Sequence, residues 1–115
     1  ALAALVGDQS SVDEMLEAFS ERREVVIQRL AQMPGVTCAR PMGAFYAYPN
    51  ISELLSDQFP TSGDLANHLI DEAHVVTVPG TAFGRDGYLR LSFATSMDRL
   101  VEAMDRLDKA FGELI

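Results

Sequence analysis

The chain has 115 residues, 48% of them apolar and 23% charged, a composition that suits one globular domain with a sizeable core and excludes fibrous and disordered classes. Seventeen acidic against nine basic side chains give a formal charge of −8, which repels phosphate backbones and anionic lipid and argues against nucleic acid and membrane as partners. The single cysteine, Cys38, cannot form an internal disulfide, so a reducing, cytoplasmic setting is expected.

Residues 1–7 are apolar but too short for the hydrophobic region of a signal peptide, and they read as the tail of a helix ended by Gly7 in a fragment cut from a longer chain. Ser11 and Glu14 have the spacing of a capping box, which predicts a helix start. Val12, Leu16, Phe19, Val26, Leu30 and Met33 then follow at helical spacing, and Pro34-Gly35 stops the element. Val36-Thr37-Cys38 and residues 44–48 are β-prone and separated by a turn-like Arg40-Pro41-Met42-Gly43, so they are expected to pair as antiparallel strands.

Residues 49–63, with two prolines and several Ser, Asn and Asp, read as a loop in which Ile51, Leu54 and Leu55 form a short turn on the surface. Thr61, Ser62 and Asp64 signal a second helix that buries Leu65, Ala66, Leu69, Ile70 and Ala73. Residues 75–78 are β-branched and predict a strand closed by Pro79-Gly80. After a glycine-containing loop, residues 88–93 alternate, with Leu89, Leu91 and Phe93 on one face and Tyr88, Arg90 and Ser92 on the other. A last helix starts at Thr95 or Ser96 and buries Leu100, Val101, Met104, Leu107, Phe111 and Leu114. The expected fold is a single two-layer α/β (α+β) domain over residues 1–115, with helices on one face of a small, about four-stranded sheet.

Arg90 is the foremost candidate for chemistry. Its strand parity turns it away from the aliphatic trio, and its fixed fork of donors suits a carboxylate held by two parallel hydrogen bonds. An ordinary ion pair with a protein carboxylate is the competing reading. The loop Pro79-Gly80-Thr81-Ala82-Phe83-Gly84 admits close backbone approach to a ligand, or is simply a tight strand connection, and it lacks the nucleotide-binding glycine spacings. His68 and His74 form no HExxH, Cys38 has no CxxC partner and no GxSxG occurs, which removes the usual zinc and serine-nucleophile signatures. Lys109, the only lysine, sits beside Asp105, Asp108 and Glu113, the opposite of the desolvated or cationic surroundings that lower an amine pKa for Schiff-base chemistry.

Gly43-Ala44-Phe45-Tyr46-Ala47-Tyr48-Pro49, the stretch 75–84 and Tyr88-Leu89-Arg90-Leu91-Ser92-Phe93-Ala94 resemble, in order and spacing, class I/II aminotransferases of the aspartate aminotransferase superfamily. The resemblance also takes in Ala3-Ala4-Leu5, Phe19-Ser20-Glu21-Arg22-Arg23 and Met33-Pro34-Gly35-Val36, and so covers nearly the whole chain. It implies the C-terminal small domain of a fold-type I enzyme, in which pyridoxal phosphate lies between a large and a small domain, usually in a homodimer. It implies, for Arg90, binding of the α-carboxylate of an amino-acid or 2-oxo-acid substrate, and makes Phe45 a weaker candidate for contact with the substrate side chain, in competition with core packing. The Schiff-base lysine, the other catalytic groups and most phosphate ligands of the family lie in the large domain, so the resemblance implies no catalytic or cofactor-binding residue here and a chain inactive by itself. A stand-alone module that binds a small acid or mediates protein association remains the alternative from another class.

Overall fold

The computed structural model describes all residues 1–115. Two helices open the chain, α1 (Leu2–Val6) and α2 (Ser10–Gln32). The capping box expected at Ser11 does not form. The cap lies two residues earlier, at Gln9, and the Asp8 carboxylate accepts from the amide and hydroxyl of Ser10 at 3.1 and 2.6 Å. Gly35, at φ +76°, turns the chain back after Met33 and Pro34. Only the second half of α2 enters the core: Val26, Leu30 and the following Met33 are buried, whereas Val12 and Leu16 stay exposed.

The sheet has three strands, one fewer than expected, in the order β1 (Tyr46–Ala47), β3 (Leu89–Ser92), β2 (Val78–Pro79), all antiparallel. The 36–38 segment does not join it. Thr37 makes a single antiparallel bridge to Asn50, which in turn bridges to Tyr88. The β-branched run 75–78 is extended with Val75 and Thr77 buried and Val76 exposed, yet only Val78 reaches a partner. Short strands of this kind need a covered face for stability, and Ala47, Leu89, Leu91 and the adjoining Phe93 supply it by burying themselves under the helices.

That cover comes from α2, from α3 (Ser62–His68) with its wider π-helical continuation Leu69–Ala73, and from α4 (Met97–Gly112). A capping box between Thr61 and Asp64 starts α3, and the Ser96 hydroxyl accepts from the Arg99 amide to start α4. His74 closes the π-helical turn in the left-handed region at φ +55°, and the Val75 amide reaches back to the Leu69 carbonyl at 3.0 Å. The stripe Leu100, Met104, Leu107, Ala110 and Phe111 of α4 is buried where α4 meets α2 and the π-helical turn of residues 69–73, while Val101 remains partly exposed. The loop 49–63 is less superficial than its composition suggests. Its 3-10 turn, Ser52–Leu54, carries Ile51 and Leu54 into the core, because the Asn50 bridges and a hydrogen bond from the Ile51 amide to the Gly87 carbonyl pull the segment inward.

Candidate functional site around Arg90

Antiparallel pairing sets Tyr46 opposite Ser92 and Val78 opposite Arg90. Leu89 and Leu91 point to the helices, so Arg90 projects from the other face of the sheet. There its guanidinium lies between two rings: the Cζ is 4.4 Å from the centroid of Tyr46, on β1, and 4.7 Å from that of Phe83, at the end of the 3-10 turn Gly80–Phe83. Rings over the guanidinium hold the cation by its faces and leave the donors at its edge free. Arg90 takes part in none of the four ion pairs of the chain and in none of its side-chain hydrogen bonds, which leaves a half-buried cation with an unused fork.

The ring contacts continue away from Arg90. Phe83 stands edge-on to Tyr48 at 6.3 Å, Tyr48 stacks on Tyr88 at 4.9 Å, and the Arg85 guanidinium covers Tyr88 at 4.6 Å. Gly80 lets the loop approach this stack: a Cβ there would lie 2.9 Å from both the Tyr48 hydroxyl and the Tyr88 Cβ. The Tyr48 hydroxyl is buried without a partner, whereas the Tyr88 hydroxyl accepts from Asn50 Nδ2 at 3.3 Å.

Phe45 and Arg90 are not in contact. The Phe45 ring lies 5.6 Å from Phe19 and packs against the core, and it reaches the Arg90 neighbourhood only through Tyr46, 4.7 Å away. The aromatic side chains on Arg90 are thus Tyr46 and Phe83, which the sequence places in the right segments without revealing that strand register and the 80–83 turn bring them onto the guanidinium. Lys109 is exposed on α4, in a groove shared with His68, Glu72, His74, Arg106 and Glu113. Arg90 is not among the residues of this groove. His68 packs on Phe59 at 4.4 Å, and His74 serves the helix end with Nδ1 3.3 Å from the Ile70 carbonyl oxygen. Burial pushes the half-buried Cys38 thiol above its ordinary pKa, against the opposing effect of a backbone hydrogen bond from Tyr48, which keeps the sulfur protonated and poorly nucleophilic at neutral pH. No group of His, Cys, Asp and Glu is placed to hold a metal, and no helix is long and apolar enough to cross a membrane.

The sequence model of "Aminotransferase class I and II" matches residues 1–107. The chain belongs to that family. It is 44% identical over 118 residues to an aspartate aminotransferase of Streptomyces avermitilis, covering 98% of this chain and 29% of that protein. It is also 44% identical over 115 residues to an aspartate aminotransferase of Pyrococcus horikoshii, covering 95% and 28%. Among solved structures, an aspartate aminotransferase of Rhizobium meliloti superposes with a TM-score of 0.90 at 35% identity over 96% of this chain and 29% of its own. An alanine aminotransferase of Pyrococcus furiosus does so with a TM-score of 0.89 at 32% identity over 96% and 28%. The chain therefore spans under a third of the length of the aminotransferases it matches.

Proposed function

We propose that this chain is the substrate-clamping small domain of a longer pyridoxal-phosphate-dependent aminotransferase, which moves an amino group between an L-amino acid and a 2-oxo acid. The observation that carries the reading is Arg90, a guanidinium clasped by two rings on the helix-free face of the sheet with no protein carboxylate to neutralise it. A buried or half-buried cation is retained in that condition where a ligand supplies the missing charge. Family membership makes a substrate α-carboxylate the natural ligand, and the names of the relatives make L-aspartate the first amino donor to try.

Arg90 then acts by positioning. Two parallel hydrogen bonds to a carboxylate fix both the distance and the plane of the bound acid, so the bond to be broken at Cα keeps one orientation. Pyridoxal phosphate would supply the electron sink for that bond. The residues that hold it would lie outside these 115, since Lys109, the only lysine, is exposed in a groove of α4 that does not include Arg90. A homodimer in the cytoplasm is part of the same proposal, supported by the family and by a lone cysteine that suits a reducing compartment.

The test is Arg90→Lys in the full-length aminotransferase that carries this chain. Lysine keeps the charge and loses the fork, so kcat/KM for L-aspartate should fall roughly ten- to a hundredfold, the equivalent of one charge-assisted bond. Circular dichroism should report an intact fold. Unchanged kcat/KM across α-amino acids would remove Arg90 from the site, and efficient amino transfer by the 115-residue chain alone would overturn the reading of it as an incomplete part.

A further inference from the structure

Phe83 forms one wall of the Arg90 clamp yet belongs to a loop, residues 80–87, that crosses the surface between β2 and β3. Loops of this length do not hold an exposed ring against a cation unless something fixes them. Phe83 is 50% exposed, so burial alone does not do so. The fixing contacts lie at both ends of the loop. Asp86 Oδ1 accepts from the Ser62 amide, in the first turn of α3, at 2.7 Å and from the Gly87 amide at 2.8 Å. Gly87 is tied in turn to the 3-10 turn of residues 52–54, its carbonyl accepting from the Ile51 amide at 2.8 Å and the Ser52 hydroxyl at 3.4 Å. At the near end the Gly80 amide donates to the Tyr88 carbonyl at 2.7 Å, and the Arg85 amide donates to the Gly80 carbonyl at 3.0 Å.

We propose that Asp86 is a positioning residue for Arg90: its carboxylate latches the 80–87 loop to the start of α3 and so holds the Phe83 ring on the guanidinium. The latch rests on geometry in this chain alone, whereas its consequence for substrate binding rests on the role proposed for Arg90. Of the hydrogen bonds that fix the loop, those accepted by Asp86 are the only charged ones, and a carboxylate receiving two amide donors is stronger than the neutral bonds that share its task. Ser62 is fully buried and cannot follow the loop if it moves. Without the carboxylate the Ser62 amide loses its protein acceptor, the loop gains freedom at 85–87, and the Phe83 ring leaves the cation held from one side only, by Tyr46.

Two measurements separate the latch from its consequence. In the 115-residue chain, the Arg90 Hε resonance reports the rings on either side of the guanidinium. Asp86→Ala should shift it in the same direction as Phe83→Ala, and Asp86→Asn, which retains an acceptor oxygen, should shift it less. An Arg90 resonance unmoved by Asp86→Ala overturns the proposal. In the full-length aminotransferase, Asp86→Ala should raise KM for the amino acid roughly three- to tenfold while kcat changes less than about twofold, the pattern of a loosened binding group. The double variant Asp86→Ala, Phe83→Ala should be no worse than Phe83→Ala by itself, since both act through one ring. Additive losses, or a lowered melting temperature with KM unchanged in an enzyme whose KM does depend on Arg90, would also overturn it. A shifted Arg90 resonance combined with no dependence of amino-acid kinetics on Arg90 itself would keep the latch and discard the function proposed for the site.

Discussion

Tyr46 and Phe83 should not be equivalent partners of Arg90, although both rings lie within 4.7 Å of its Cζ. Tyr46 is fixed by β pairing, whereas Phe83 depends on its loop, so Tyr46→Leu should remove a contact that is present all the time. A cation–π contact at a site of this exposure is worth about 0.5–1 kcal/mol, and chemical denaturation of Tyr46→Leu should show a loss of that order. In an Arg90→Leu background the same change should cost less, and an equal cost would show that Tyr46 contributes by packing alone. Glycine offers a second residue-scale contrast. At Gly80 a methyl group would run into the Arg85 carbonyl oxygen and meet the Tyr48 hydroxyl and the Tyr88 Cβ at 2.9 Å, while at Gly43 nothing lies within 4 Å. Gly80→Ala should therefore destabilise by about 1–3 kcal/mol and Gly43→Ala by less than about 0.5 kcal/mol, as read from paired unfolding curves. The direction of Arg90 was legible in the alternation of Leu89, Leu91 and Phe93, because strand parity is local. Its two rings were not, since they arrive from segments more than forty residues before and seven before it, through pairing register and a loop contact that no local pattern encodes.

At the scale of elements, the start signals read for α2 and α3 came out differently. Thr61 and Asp64 form theirs, with Oγ1 accepting from the Asp64 amide at 3.2 Å and the Asp64 carboxylate accepting from the Thr61 amide at 3.1 Å. Ser11 lies inside α2, because Asp8 engages Ser10 first. Thr61→Ala should cost about 1 kcal/mol and Ser11→Ala only a few tenths, a difference that thermal unfolding resolves. The helices α3 and α4 were legible because their caps and stripes are short-range. The strand at 36–38 and the length of β2 were misjudged for the reverse reason: β-propensity marks a segment that can pair, while the partner sets whether it does. The latch between the 80–87 loop and α3 also gives these elements a pH response. Asp86 is held below the usual carboxylate range by the Ser62 hydroxyl first, a close neighbour without an aligned bond of its own, and then by the Ser62 and Gly87 amides. A lowered folded-state pKa stabilises above the unfolded value of 3.8 and the benefit is lost as pH falls through the folded value. Amide exchange at Ser62 and Gly87 should consequently accelerate relative to the α4 amides below about pH 3.8 in the wild type, and Asp86→Asn should abolish that dependence.

Across the whole molecule, stability is gathered at one end of a long body. The principal extents are 55 × 28 × 24 Å, and the 23-residue α2 accounts for much of the longest. Its second half is built into the core through Val26 and Leu30, both at most 1% exposed, whereas Val12, Met15 and Leu16 are more than half exposed and edge an open groove of about 270 Å³ with Met42 and Phe45. The periodicity that marked Val12 to Met33 as one helix is real as a pattern, but periodicity records which face is apolar and not where along the helix a neighbour covers it. In this chain the neighbour is α4, which meets only part of α2: Arg29 on the second half pairs with Asp105 at 2.5 Å, and Phe93 closes the packing near Phe19 at 6.5 Å between ring centroids. Helical segments without tertiary cover exchange their amides through local fraying, whereas covered ones exchange only through larger openings. Hydrogen exchange of the 115-residue chain should thus divide α2 near Phe19, with residues 10–17 exchanging at least about a hundredfold faster than residues 26–32. Leu16→Glu should change global stability by less than about 0.5 kcal/mol, against about 2–5 kcal/mol for Leu30→Ala. Uniform protection along α2, or a large loss from Leu16→Glu, would mean that the first half is covered in solution and that the apolar residues there already have a partner.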